Sequence, residues 1–262
     1  MNIEELMTKK VGFVSLGCDK NRVDLEEIIA RIKQFGFEVT VNPAEANIII
    51  INTCAFLEAS RKESIDTILQ MAKYKELELE KIVVTGCLTT YKIEEVDGSI
   101  PEVDLFVPIE KNKSIVDEIC KLYGVEYTDD TPYNRFLTTP EHYAYLKIAD
   151  GCNNFCSYCT IPYIRGRFTS VPIEELVKQA NALVDTGVKE LILVAQDVTK
   201  YGKDLYGEHR LVPLIQELSK IKKLKQIRLL YCYPELINED LINEIATNKK
   251  VCKYIDMPLQ HI

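Results

Sequence analysis

The sequence has no apolar run approaching the ~20 residues that cross a bilayer; the longest obvious one, residues 48–51, is only strand-sized. It also lacks a basic excess. Lys and Arg number 32 against 40 Asp and Glu, a formal net charge of −8, whereas a dedicated nucleic-acid binder carries a basic face. The opening residues Met1-Asn2-Ile3-Glu4-Glu5 have neither the basic nor the apolar region of a secretory signal. Solenoid repeats and low-complexity tracts are missing too. These absences argue against membrane insertion, secretion and a repeat array, and lead to the expectation of a cytoplasmic protein with no membrane partner. The acidic balance points weakly to a basic partner.

What the chain has in excess is cysteine: nine among 262 residues. In a reducing compartment such thiols do not form a disulfide framework, so metal or redox chemistry is the better explanation. Apolar residues at 47% and charged residues at 27% are otherwise ordinary for a globular protein.

The order of elements predicts an α/β fold. In the first half, strands over 11–15, 37–41, 48–52, 81–85 and 104–107 alternate with helices over 23–35, 60–74 and 111–122. Val23, Ile28, Ile29 and Ile32 form one helix stripe, and Ile65, Ile68, Leu69 and Ala72 a second. Alternation of this kind makes an open parallel sheet covered by helices, Rossmann- or flavodoxin-like. Residues 128–140, with Asp129, Asp130, Pro132, Asn134 and Pro140, read as a linker. This divides the chain into domains at 1–127 and 141–262. In the second, strands over 143–149, 190–195, 226–230 and 254–258 alternate with helices over 172–186, 212–221 and 238–248. This is the four-stranded beginning of a β/α barrel.

Gly151-Cys152-Asn153-Asn154-Phe155-Cys156-Ser157-Tyr158-Cys159 follows a predicted strand. A tight loop can aim three thiols at one cluster. Three thiolates satisfy three irons of a cubane and leave the fourth open to chelate S-adenosylmethionine. The competing reading is a zinc site, with His142 or a distant thiol as the fourth ligand. In the first half Cys18, Cys54 and Cys87 each lie just beyond a predicted strand. The strand ends of a parallel sheet share one edge, where ligands bind, so these three should meet in space. The alternative is three inert buried thiols. Core packing is the simplest role for Cys120, Cys232 and Cys252, and His209 and His261 have no metal-like neighbours.

The motif, with Tyr158 before its last cysteine, resembles the radical S-adenosylmethionine superfamily. Its flanks, Leu146-Lys147-Ile148-Ala149-Asp150 and Ile161-Pro162-Tyr163-Ile164-Arg165-Gly166-Arg167, are similar to those of the methylthiotransferases. Ser15-Leu16-Gly17-Cys18-Asp19-Lys20-Asn21, Asn52-Thr53-Cys54, Ala195-Gln196-Asp197-Val198-Thr199-Lys200-Tyr201-Gly202 and Tyr231-Cys232-Tyr233-Pro234 resemble the branch that modifies an aspartate of a small-subunit ribosomal protein. Asp19 and Leu25 depart from that branch, outside the ligand set.

The resemblance implies two 4Fe–4S clusters, one on Cys152, Cys156 and Cys159, the other an auxiliary cluster on Cys18, Cys54 and Cys87. It implies S-adenosylmethionine as cofactor, with Tyr158 near its adenine, or else simply a loop aromatic, and Gln196 near its methionine amino group, or else satisfying a turn. Arg165 and Arg167 are candidate carboxylate binders, or else solvated loop residues. A radical would be generated on the cofactor, a hydrogen removed from the β-carbon of the target aspartate, and sulfur inserted from the auxiliary cluster. A flavodoxin or ferredoxin would supply electrons. Two other readings stay open: a tRNA adenosine methylthiotransferase and a non-catalytic metal-binding remnant. The family barrel has further strands and a small C-terminal β domain, so the core over 141–262 is expected to be incomplete.

Overall fold

The computed structural model describes residues 2–91, 98–128 and 135–259. The chain divides into two compact units, Met1–Phe136 and Leu137–Ile262.

The first unit runs α1 (Ile3–Met7), β1 (Lys10–Ser15), α2 (Asp19–Phe35), β2 (Glu38–Thr40), β3 (Ile48–Thr53), α3 (Glu58–Ala72), β4 (Lys81–Gly86), β5 (Leu105–Phe106) and α4 (Ile115–Leu122). The strands form one sheet in the order β2-β1-β3-β4-β5. All pairs are parallel. β3 is buried along its whole length, as a strand covered on both faces must be. The α/β class and the open parallel sheet expected from the alternation are therefore what the chain forms.

Three of the expected helices depart from the sequence reading. α2 begins at Asp19, four residues before the apolar stripe, because its first turns bury Lys20, Asn21 and Asp24. Apolar periodicity cannot register an inward polar residue. α3 buries Ser64, Ile68 and Met71, while Leu69 is exposed and Ile65 half-buried. The Ser64 hydroxyl donates to the Cys54 carbonyl at 2.8 Å and accepts from the Cys54 N–H at 3.1 Å. Those bonds turn Ser64 inward and Leu69 out. The helix expected over 111–122 opens as a 3-10 segment, Ile109–Ser114, before α4.

Asp104 closes the far edge of this sheet. Its carboxylate accepts from the Lys75 ammonium at 2.7 Å, the Ile82 N–H at 2.8 Å and the Lys81 ammonium at 3.2 Å. Burial alone would push the Asp104 carboxyl up, but Lys75, the Ile82 N–H and Lys81 outweigh it and hold it below its ordinary value. This stabilisation is complete above the unfolded value near 4 and is lost as pH falls through the lower folded one. Asp104→Asn should cost about 1 kcal/mol at neutral pH, a gap that narrows as pH falls below the ordinary carboxylate value near 4. Urea unfolding of both proteins across that range measures it; a gap that ignores pH would remove the carboxylate charge from the account.

Of the expected linker, residues 129–134 lie outside the described residues. Arg135 and Phe136 are tied to α2: the Arg135 Nε lies 3.2 Å from Glu26 Oε2, and the Phe136 N–H donates to the Glu26 carbonyl at 3.3 Å.

The second unit runs β6 (Tyr143–Lys147), β7 (Ala149–Asp150), α5 (Ile161–Arg165), β8 (Thr169–Ser170), α6 (Ile173–Asp185), β9 (Glu190–Val194), α7 (Lys203–Tyr206), α8 (Leu211–Ser219), β10 (Gln226–Leu229) and α9 (Glu239–Thr247). Parallel strands β10-β9-β6 form its sheet, and β7 pairs antiparallel with β8. The continuous strand expected over 143–149 is split, since Ile148 is the point where the chain leaves β9 for β8. Its N–H still bonds the Val194 carbonyl, while its own carbonyl accepts from Val171.

The strand expected over 254–258 does not form. Pairing with β10 is one parallel bridge, Ile227 to Val251, in which Ile227 bonds Lys250 and Cys252 at 2.8 and 2.9 Å. β10 then ends at Leu229, and Tyr231 adopts φ +60°. That turn takes the backbone off the ladder before residues 254–258 could pair. They are held by Asp256 instead, which accepts from the Tyr231 N–H through its side chain and from the Cys232 N–H through its carbonyl. Among the described residues no helix is long and apolar enough to cross a membrane.

Candidate metal centres

In the first unit β1, β3 and β4 are adjacent. Cys18 lies three residues past the end of β1, and Cys54 and Cys87 directly follow β3 and β4. The sheet thus brings the three cysteine loops to one edge, at the point where strand order reverses, which is where open α/β sheets bind ligands. Cys18 is exposed, Cys54 half-buried and Cys87 buried. The first loop passes close over Cys54: a Cβ on Gly17 would stand 3.4 Å from the Cys54 Sγ. Asn21, fully buried, reaches all three loops. Its amide N–H groups donate to the Leu16 and Thr53 carbonyls, and its Oδ1 accepts from the Cys87 thiol at 3.5 Å.

In the second unit Cys152, Cys156 and Cys159 are all half-buried on one loop. The Cys159 N–H bonds the Cys156 carbonyl at 2.9 Å, and the Cys152 N–H the Gly166 carbonyl at 3.1 Å. Asn153 Oδ1 accepts from the Phe168 N–H at 3.1 Å. The Asn154 N–H points at the Cys152 sulfur, 3.5 Å away, and the Asn154 side chain is held by the Lys200 ammonium. Burial pushes the Cys152 thiol up; the Asn154 N–H and Lys200 pull against it, and the nearby Cys159 adds to the rise.

The base of this loop is closed by Asp150, which apolar patterning does not pick out. Its Oδ2 is 3.0 Å from Arg165 and 3.1 Å from Lys147. Its Oδ1 accepts from the Gly151 N–H and the Gln196 amide, both at 2.9 Å. Burial would raise the Asp150 carboxyl, but Lys147, Arg165 and the Gln196 amide hold it far below the usual carboxylate range. The carboxylate partner of Arg165 is thus this chain's own Asp150. Arg167 is exposed, and Tyr158 is 72% exposed on the loop surface.

Because the Gln196 amide donates to Asp150, its Oε1 faces the other way, buried and, among the described residues, without a hydrogen-bond partner; Asp197 Oδ2 is in the same condition. Two such acceptors at the end of β9 suit a ligand that brings N–H or O–H donors.

Among the described residues, no group of three or more His, Cys, Asp or Glu side chains is arranged to hold a metal ion. The donor chemistry nonetheless fits iron: soft thiols in threes, with an amide N–H aimed at one sulfur. His142 does not complete a zinc site. It precedes β6, and its carbonyl accepts from Lys189 and Glu190 at the start of β9, about 16 Å of strand away from the cysteine loop. His261 lies outside the described residues, and His209 contacts the Thr199 carbonyl at 3.1 Å. Cys120, Cys232 and Cys252 are buried. Burial, with Asp117 adding, pushes the Cys120 thiol up to about 11; burial, with Asp197 and Asp256 adding, pushes Cys232 up to about 12. Such thiols are inert.

Residues 10–108 match the family described as Uncharacterized protein family UPF0004, and residues 146–262 match the Radical SAM superfamily. The chain is 50% identical over 268 aligned residues to ribosomal protein uS12 methylthiotransferase RimO of Clostridium tetani, covering 98% of this chain and 60% of that protein. The RimO proteins of Clostridium botulinum and Acetivibrio thermocellus are 49% and 47% identical, over 98% and 97% of this chain and 60% of each relative. The chain therefore spans about three fifths of the length of the curated relatives it matches.

Among solved structures, the radical S-adenosylmethionine methyltransferase TsrM from Kitasatospora setae superposes with a TM-score of 0.64 at 13% identity, over 97% of this chain and 60% of TsrM. The cobalamin-dependent radical enzyme OxsB gives 0.55 at 13% identity, over 90% of this chain and 40% of OxsB. At such identity these two share the fold alone. With the UPF0004 match covering the sheet that carries Cys18, Cys54 and Cys87, the Radical SAM match covering the Cys152 loop, and half of the aligned residues identical to one relative, the chain is similar over almost its whole length to the RimO-type methylthiotransferases, of which it spans three fifths.

Proposed function

We propose that this chain takes part in radical methylthiolation of ribosomal protein uS12 at the β-carbon of an aspartate, in the cytoplasm, with a flavodoxin or ferredoxin as electron donor. The reading is supported above all by identity near 50% to uS12 methylthiotransferases over almost the whole chain. Those relatives favour a ribosomal protein over tRNA as substrate. The net charge of −8 suits a basic protein partner.

Iron–sulfur clusters and S-adenosylmethionine are the cofactors of this family, and when bound they supply the one-electron chemistry that opens a C–H bond and the sulfur that replaces the hydrogen. Cys152, Cys156 and Cys159 would hold one cluster, and Cys18, Cys54 and Cys87 the other. The protein contributes binding, orientation and exclusion of side reactions. Asp150 orients the Gln196 amide so that its carbonyl oxygen can accept from the cofactor's ammonium, and Asp197 Oδ2 offers a second acceptor. Tyr158, exposed on the loop surface, would lie near the adenine.

The test is iron and sulfide quantification on anaerobically reconstituted protein. Replacing Cys152, Cys156 and Cys159 together with alanine should halve the iron and abolish S-adenosylmethionine cleavage. Replacing Cys18, Cys54 and Cys87 should halve the iron and leave cleavage in place. Mass analysis of a uS12 peptide then reads methylthiolation. Loss of all iron in either variant, or cleavage that survives the first, would refute the assignment.

A further inference from the structure

We infer that Asn21 is the positioning residue of the N-terminal cysteine triad, one amide whose two N–H groups tie the Cys18 loop to the Cys54 loop and whose oxygen packs against the Cys87 loop. The inference rests on the reading of those thiols as cluster ligands.

The sheet itself fixes these loops only up to the strand ends. The last ladder bonds are Leu16 N–H to the Asn52 carbonyl at 2.9 Å and the pairing of Thr53 with Gly86. Beyond them the three backbones leave the ladder, and side chains must set their spacing. Asn21 stands three residues after Cys18, in the first turn of α2, with no exposed surface. One amide proton goes to the first loop, at the Leu16 carbonyl (3.1 Å), and the other to the second, at Thr53 (2.9 Å), the residue before Cys54. The oxygen faces the third loop, 3.5 Å from the Cys87 sulfur. Its own backbone carbonyl accepts from Asn52 Nδ2 at 2.6 Å, tying α2 to β3 a second time.

The amide orientation is dictated, because a flip would set Oδ1 against two carbonyls. No other side chain fits this geometry. Aspartate has the shape without the donors, serine and threonine have one proton, and glutamine is a methylene too long. Residues beyond the ligands commonly set metal affinity by about 10- to 100-fold.

The experiment uses the full chain with Cys152, Cys156 and Cys159 replaced by alanine, so that iron reports the N-terminal triad alone. Asn21→Ala and Asn21→Asp are introduced into that parent, reconstituted with iron and sulfide, and challenged with a chelator. The expected result is a loss of iron affinity of about 10-fold or more, with helical circular dichroism unchanged and a shifted paramagnetic signal from whatever cluster remains. Ile119→Ala, a cavity in α4 of the same unit, is the comparator and should lower thermal stability yet keep its iron. A parent that holds no iron overturns the ligand reading, and this inference with it. A parent that holds iron while both Asn21 variants match it overturns the Asn21 inference alone. So do Asn21 variants that fail to fold, or an Ile119→Ala protein that loses iron to the same extent, since Asn21 would then be one more contributor to stability.

Discussion

Replacing Gly86 with alanine should cost this protein about 2–6 kcal/mol, a large part of the ~5–15 kcal/mol that holds a domain together. Two causes add. Gly86 sits at φ +93°, ψ −163°, a region essentially reserved for glycine, where another residue pays about 1–3 kcal/mol. There is also no room: a Cβ would stand 2.4 Å from the Thr53 carbonyl oxygen, 2.4 Å from Asn52 Oδ1 and 2.5 Å from the Thr53 N–H nitrogen. Two of those neighbours are backbone of a central strand and cannot step aside, so overpacking adds about 1–3 kcal/mol. The strain falls between β3 and β4 where Cys54 and Cys87 begin. The variant should therefore lose N-terminal iron as well as stability. Urea unfolding and iron content measure the two effects; a loss under about 1 kcal/mol would mean that the β3–β4 contact yields far more easily than its geometry implies.

The second large effect is expected at Asp150. Its partner Arg165 has a side chain only 2% exposed, and Asp150→Asn leaves that guanidinium without its carboxylate. Removing one member of a buried ion pair costs about 3–5 kcal/mol, whereas replacing both with apolar groups is often neutral. So Asp150→Asn should lower the stability of the second unit by about 3 kcal/mol, and Asp150→Asn with Arg165→Met should recover much of it. Function should not recover in the double variant. Without the carboxylate nothing dictates which way the Gln196 amide turns, and S-adenosylmethionine binding should stay weakened about 10-fold. Thermal unfolding and equilibrium binding separate the two readouts. A double variant as unstable as the single one would show that Asp150 acts through Gly151 and Gln196 rather than through Arg165.

The α/β class was legible in the sequence, and the reason is plain. Apolar periodicity reports which face of each element is buried, and 48–53 or the Val23–Ile32 stripe leave little choice. The sharing of one sheet edge by the Cys18, Cys54 and Cys87 loops was legible as well, since a residue just after a strand in a parallel sheet has one edge to go to. Periodicity failed where polar side chains face inward. Ser64 turns α3 and expels Leu69 because it bonds Cys54. The strand expected over 254–258 looked sound locally, but its partner β10 had already been turned away at Tyr231.

The sequence by itself thus determined most of the elements, the parallel sense of the sheet and the loops on which the six candidate thiols lie, because each of these follows from local pattern or spacing. Only the tertiary structure decided how the thiol-bearing loops are held. Asn21 meets Thr53 across 32 residues of chain, and Gln196 meets Asp150 across 46. Hydrogen bonds between such distant polar groups leave no periodic trace, because direction and distance come into being only when the sheet has brought the strand ends together.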